Sequence, residues 1–199
     1  MTEEIDAWDL IFDGRYEEAL PLIEEDGNLH NIGLLHLALG NLDRAADALS
    51  KTSQVTSAHG EMLGVCEWLR GNFQEALAHW KEAQNSPAQD AAGGITPPAL
   101  CYYAAVRLES AEEKKLAVKA LRRLWKPNRT AWPSPIAGFL LGKYPEREFT
   151  WQECNLPEPL VERWTTQLNF WKGVKCLEIQ EPQRAQDFFD ESYKPSGCG

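Results

Sequence analysis

The chain has 199 residues with 20 Lys and Arg against 30 Asp and Glu, a formal charge of −10. That balance excludes nucleic-acid binding driven by phosphate contacts, which needs Lys and Arg to displace counterions, and it favours a protein partner of basic or mixed charge. At 43% apolar and 25% charged residues the composition is that of a folded chain, one domain or a short repeat array, and wholesale disorder is excluded.

Apolar residues recur at i, i+3 and i+4 over 4–12, 15–25, 29–39, 42–50, 58–70, 73–84, 98–109, 112–125, 134–142, 146–153, 158–179 and 182–193, which predicts a helix in each segment. No stretch alternates as a strand does. Segment 112–125 shows the pattern plainly: Leu116, Ala120, Leu121, Leu124 and Trp125 gather on one side, and Glu112, Glu113, Lys115, Lys119 and Arg122 on the other. Residues 85–97 are small, polar and rich in Gly and Pro, and 126–135 carry three prolines; both read as joints inside one array. A single helical domain over 1–194 and a flexible tail at 195–199 are expected. No apolar run is long enough to cross a membrane, and Met1-Thr-Glu-Glu-Ile-Asp lacks the basic and apolar parts of a secretory signal, so a cytoplasmic protein is expected.

Three of these segments open on one pattern: Gly14-Arg-Tyr16-Glu-Glu-Ala19, Gly40-Asn-Leu42-Asp-Arg-Ala45 and Gly71-Asn-Phe73-Gln-Glu-Ala76. Gly can take the positive φ that ends one helix, the large apolar residue starts the next facing inward, and the Ala lets a neighbouring helix approach closely. Weaker copies lie at Gln180 to Ala185, at Gly142 to Arg147, and at Glu112 to Ala117, where only the Ala is kept. With Gly14, Gly40, Gly71, Glu112, Gly142 and Gln180 as corners, the units are 26 to 41 residues long and average 33.

On these residues the chain resembles the tetratricopeptide repeat (TPR) family. The third copy resembles it most, with Leu63-Gly64 before the corner and Trp80, Ala83 and Pro87 after it. Ile32-Gly33 with Leu49, and Gly173 with Phe189, repeat the theme; Asp6-Ala7 and Lys172 depart from it. The resemblance implies an all-α solenoid of about six antiparallel helix pairs in a right-handed superhelix, with degenerate fourth and fifth units. It also implies a concave groove, lined by the first helix of each pair, that holds a peptide or protein segment.

Little in the sequence carries catalysis. The five cysteines are odd in number and lack a C-x-x-C pair, and Cys66, Cys101 and Cys176 sit in apolar-periodic segments where Cys packs as a small hydrophobe. His30 and His36 are off the i, i+4 spacing of a helical metal pair, and no phosphate loop, nucleophile elbow or dinucleotide fingerprint occurs. No metal and no cofactor are expected. Cys66 and His79 lie in the two helices of one hairpin and are the nearest approach to a nucleophile pair, so a hydrolase without a known motif stays as a minor alternative.

Of the eight Trp residues, Trp80, Trp125 and Trp151 fall in second-helix core slots. Trp8, Trp68, Tyr102 and Phe170 project from first helices toward the expected groove, where aromatics serve as anchors, unless neighbouring repeats close over them. His30, Glu61 and Glu109 share that face. The expected function is non-enzymatic binding of a protein or peptide segment; the alternative is an acidic immunity protein or inhibitor neutralising a basic toxin or enzyme. Homo-oligomerisation through a terminal repeat is also open.

Overall fold

The structure is a computed structural model and describes residues 6–52, 56–86, 94–126, 132–143, 145–150 and 161–193, with the backbone alone at 161–163. All regular structure among them is helical, and no described residue lies in a strand. The helices are α1 (Ala7–Phe12), α2 (Tyr16–Asp26), α3 (Leu29–Ala38), α4 (Leu42–Ser50), α5 (Ser57–Leu69), α6 (Phe73–Ala83), α7 (Thr96–Arg107), α8 (Ala111–Leu124), α9 (Ser134–Leu140), α10 (Val161–Glu178) and α11 (Pro182–Tyr193), with a 3₁₀ turn at Glu146–Glu148. The arrangement is compatible with an α-solenoid.

Local chemistry sets the helix boundaries. Asp6, Asn28, Thr56 and Ser110 accept backbone N–H groups at the starts of α1, α3, α5 and α8, which satisfies donors that the helix itself cannot. α8 adds Glu112 and Glu113 in its first turn and Arg122 and Arg123 in its last, complementing the backbone dipole. α7 starts earlier than its apolar periodicity predicts, because Pro97 and Pro98 occupy a first turn that needs no N–H. The helix predicted over 146–153 does not form across its described part. Only a single 3₁₀ turn is present, and Phe149 then leaves helical geometry (φ −87°, ψ 76°), which lets its ring stack on Phe139 with centroids 4.3 Å apart.

Six corners close in the same way. Gly14, Gly40, Gly71, Glu109, Gly142 and Gln180 all have positive φ. At each, the N–H of the corner residue bonds the carbonyl three residues back, and the next N–H bonds the carbonyl five residues back: Gly71 to Trp68 and Asn72 to Glu67, for example, or Glu109 to Val106 and Ser110 to Ala105. This pairing satisfies the carbonyls left open at a helix end. The fourth corner is therefore Glu109, three residues before the predicted Glu112.

Chain contacts divide into two compact units, Met1–Pro87 and Ala88–Gly199; the boundary falls in the first of the two predicted joints. In the first unit each helix packs on the next, α1 on α2 through to α5 on α6, with α3 also touching α5. Its core holds Leu10, Ala19, Ile23 and Leu35, then Ala45, Ala46, Leu49 and Cys66. In the second unit α7 packs on α8 and α10 on α11, while α10 also reaches α7 and α9. Charge divides with the fold: residues 1–87 carry 16 Asp and Glu against 5 Lys and Arg, and residues 88–199 carry 14 against 15.

A size rule joins the helices of three pairs. Seven residues before the corner stands a small residue, and nine after it a large one. Gly33 faces Leu49, Gly64 faces Trp80 and Gly173 faces Phe189, so closely that a Cβ on Gly64 would stand 2.3 Å from the Trp80 indole nitrogen. That nitrogen donates to the Glu61 carbonyl at 3.0 Å, so the ring cannot move aside cheaply. The fourth pair reverses the sizes, with Tyr102 at the small position and Val118 at the large one.

Candidate functional site

The corners supply a common register for the first helices, and with it the exposed positions can be compared. Six and two residues before Gly14, Gly40 and Gly71 stand Trp8 and Phe12, Leu34 and Ala38, Val65 and Leu69. Trp8 is 46% exposed, Phe12 76% and Leu69 56%; Ala38 is exposed, and Leu34 and Val65 are half-buried. Three successive first helices of residues 6–86 thus turn an apolar pair outward on equivalent faces. Inward-facing neighbours one or two positions further on, Leu10, Leu35 and Cys66, are buried. Exposed apolar residues repeating in register mark a contact surface more strongly than scattered ones do.

The same register in residues 94–193 is largely filled. Ile136, Leu140 and Val174 stand at these positions and are 1%, 3% and 0% exposed. Tyr103 and Glu178 are half-buried, and only Arg107 is open.

Of the aromatic residues predicted to line a groove, Trp8 lies on the open face. Trp68 is half-buried against Phe73 and Trp80, with centroid distances of 4.7 and 5.7 Å. Phe170 is half-buried in a cluster with Tyr103, Trp171 and Phe189, at 5.3, 5.0 and 5.8 Å. Tyr102 is not on an open wall: it is 1% exposed. Measured from the true corner it occupies the position seven residues back, which faces the second helix.

Tyr102 belongs to a polar knot that sequence reasoning missed. Its hydroxyl donates to Glu178 Oε2 at 2.5 Å, Lys114 Nζ meets Glu178 Oε1 at 2.5 Å, and Lys175 Nζ bonds the same carboxylate and the Leu140 carbonyl at 3.5 Å. One carboxylate of α10 so gathers α7 and α8, and Lys175 adds α9. Burial pushes the Tyr102 phenol well above its ordinary pKa, and the Glu178 carboxylate adds to that. Burial also disfavours the charged form of Glu178, but hydrogen bonds from Lys114, Lys175 and Tyr102 outweigh it and hold its pKa below the usual carboxylate value. Lys114 stands five residues after its corner, where Ala19, Ala45, Ala76 and Ala185 are completely buried in other pairs.

The polar residues predicted for the groove separate as well. Glu61 is 8% exposed, and its carboxylate accepts from the Ser57 hydroxyl at 2.6 Å. Glu109 is exposed, but its role is the corner itself, at φ 52°. His30 is half-buried with its ring centroid 6.3 Å from that of His59. The Cys66–His79 pair gains no activation: Cys66 is fully buried, and burial, with Glu67 adding, pushes its thiol up to about 11. Cys101 and Cys176 are buried as expected; Trp151, Cys154, Cys198 and the 195–199 tail lie outside the described residues. Among the described residues no cluster of three His, Cys, Asp or Glu could hold a metal ion, and no helix is long and apolar enough to cross a membrane.

The described part of the chain thus belongs to the class of all-helical proteins built from paired helices. No family model, no curated protein and no solved structure matches it.

Proposed function

We propose that this chain is a non-enzymatic, cytoplasmic protein-interaction module, a TPR-like α-solenoid of about six units that holds a polypeptide segment of another protein against its first helices. The corners support the repeat reading: taken at Gly14, Gly40, Gly71, Glu109, Gly142 and Gln180 they fall on average 33 residues apart. The observation that carries the binding role is the uncovered apolar register of α1, α3 and α5. Trp8, Phe12 and Leu69 are the anchors, with Leu34, Ala38 and Val65 between them. Large side chains desolvated in a docked complex contribute most of the affinity, and charges around them set encounter rate and selectivity.

The concentration of acidic charge in residues 1–87 favours a basic partner, and with it the second reading, an acidic immunity or inhibitor protein. Its association would slow steeply as salt rises, because steering acts through screened fields.

The test is affinity purification with cross-linking from the protein's own cells, using wild type and a Phe12→Ser, Leu69→Ser double variant. A captured polypeptide that cross-links to α1, α3 or α5, and whose dissociation constant rises at least tenfold in a variant with unchanged helicity and Tm, is the expected outcome. A partner held equally by both proteins removes the face from the reading, and turnover of a small molecule by the purified chain removes the reading itself.

A further inference from the structure

Three of the four histidines meet in one place. His30 of α3 and His59 of α5 hold their ring centroids 6.3 Å apart, and His59 lines a cavity of ≈ 440 Å³ together with His79 of α6. The rings come from three helices joined through α5, since α3 touches α5 and α5 packs on α6. His59 is 6% exposed, and its Nδ1 has no hydrogen-bond partner among the described residues.

Charged groups surround this contact without neutralising it. Glu82 of α6 lines the same cavity. Lys51, at the end of α4, lines with His30 and Thr56 a second cavity of ≈ 500 Å³. On α5 itself Glu61 is engaged by the Ser57 hydroxyl. Among the described residues none of the ion pairs involves His30, His59 or His79, whereas His36 has its Nε2 3.8 Å from Glu24.

We propose that the His30–His59–His79 cluster is an acid-sensitive joint: neutral imidazoles around His59 let α3 and α6 sit against α5, and protonation at His59 forces them apart. An imidazolium there would be largely removed from water, beside two further imidazole rings, with no carboxylate bonded to it. Burial lowers the pKa of His30, and burial together with repulsion from His30 and His79 lowers that of His59.

The sign follows from proton counting. The unfolded chain titrates its histidines near 6.5 and so binds more protons than the folded one at that pH. Stability contributed by the joint is therefore complete above about 6.5 and is lost as pH falls from that value toward the lower folded-state pKa, in a window where most carboxylates are still charged. α3 and α5 also carry Leu34, Ala38, Val65 and Leu69, so a loosened joint would disturb the proposed docking face. The joint itself rests on histidine packing and needs no partner to be tested.

The experiment follows the full chain at constant ionic strength between pH 7.5 and 5.5, by thermal unfolding and by NMR titration of the imidazole resonances. Midpoints below 6.5 for His30 and His59 are expected, with a Tm about 3 °C lower at pH 5.5 and amide exchange accelerated first in α3, α5 and α6. His59→Gln should remove at least half of that Tm shift. If that variant does not fold, His30→Gln is read instead, with a smaller but measurable loss of the shift. Midpoints at or above 6.5, a Tm equal at both pH values, or a shift retained in full by the folded variant would each overturn the joint.

Discussion

In residues 6–86 the positions six and two before the corners are exposed at Trp8, Phe12, Ala38 and Leu69 and half-buried at Leu34 and Val65; in residues 94–193 the equivalent Ile136, Leu140 and Val174 are buried. The corners differ in step. Gly14, Gly40 and Gly71 close the first three pairs, while Glu109 and Gln180 hold positive φ in two of the last three. In the first unit each helix rests on its sequence neighbour, and in the second α10 also packs on α7 and α9. The contrast teaches that a shared turn and a shared size rule do not fix what a repeat-like element does. A helix that comes back over an earlier pair turns a surface register into core.

The largest effect that would break this comparison is expected at Leu140. Leu140→Ala removes a side chain that is 3% exposed and should cost about 2–5 kcal/mol in urea denaturation. Leu69→Ala, at the same register but 56% exposed, should change stability by no more than about 0.5 kcal/mol. Equal costs for the two would end the distinction between an open and a closed face.

Next comes the knot that holds α10 in place. Tyr102→Phe keeps the ring and deletes the hydroxyl that donates to Glu178, a hydrogen bond to a charged group, so a loss of about 1.5–3 kcal/mol is expected. Because Glu178 is held below its ordinary pKa, the stability it contributes is present above the unfolded carboxylate pKa and lost as pH falls through the lower folded value. Denaturation midpoints of Tyr102→Phe and wild type should therefore converge as the pH is lowered below about 4. A constant difference down to pH 2 would show that the hydroxyl acts only by packing.

The smallest effects concern the corners. Glu109→Gly should stabilise the chain by about 0.5–1 kcal/mol, relief of left-handed strain partly offset by backbone entropy. Gly71→Ala should destabilise by about 1–2 kcal/mol, because φ is +85° there and no side chain gains a contact. Calorimetry on the two variants would show whether both units use the corner in the same way. A loss of stability in Glu109→Gly would mean that its side chain, and not the turn, matters at that position.

Much of the helical layout was legible in the chain. Periodicity placed α2, α4, α6 and α11 within a residue or two of their ends, and five of the six corners were marked by their Gly, or by the Gln180 that stands for one. The fourth corner differs from the predicted one because the sequence pattern is anchored on its Ala and not on the turn. Aligning Ala117 with Ala19, Ala45 and Ala76 moved the turn to Glu112, whereas the slot itself holds Lys114. That shift of three residues put Tyr102 on the wrong face of its helix. Keeping the turn fixed, with Ser110 as the cap that follows it, places Tyr102 in the inter-helix slot.

What the sequence alone determined was the set of local choices: where helices start, where a left-handed residue stops them, and which side of each is apolar. These depend on caps, φ preferences and 3.6-residue periodicity, all of which act within a few neighbouring residues. Tertiary structure decided which apolar sides stay uncovered, which histidines touch, and which carboxylate gathers two lysines and a tyrosine. Those outcomes depend on groups as far apart as Tyr102 and Glu178, brought together by packing between helices and not by spacing along the chain.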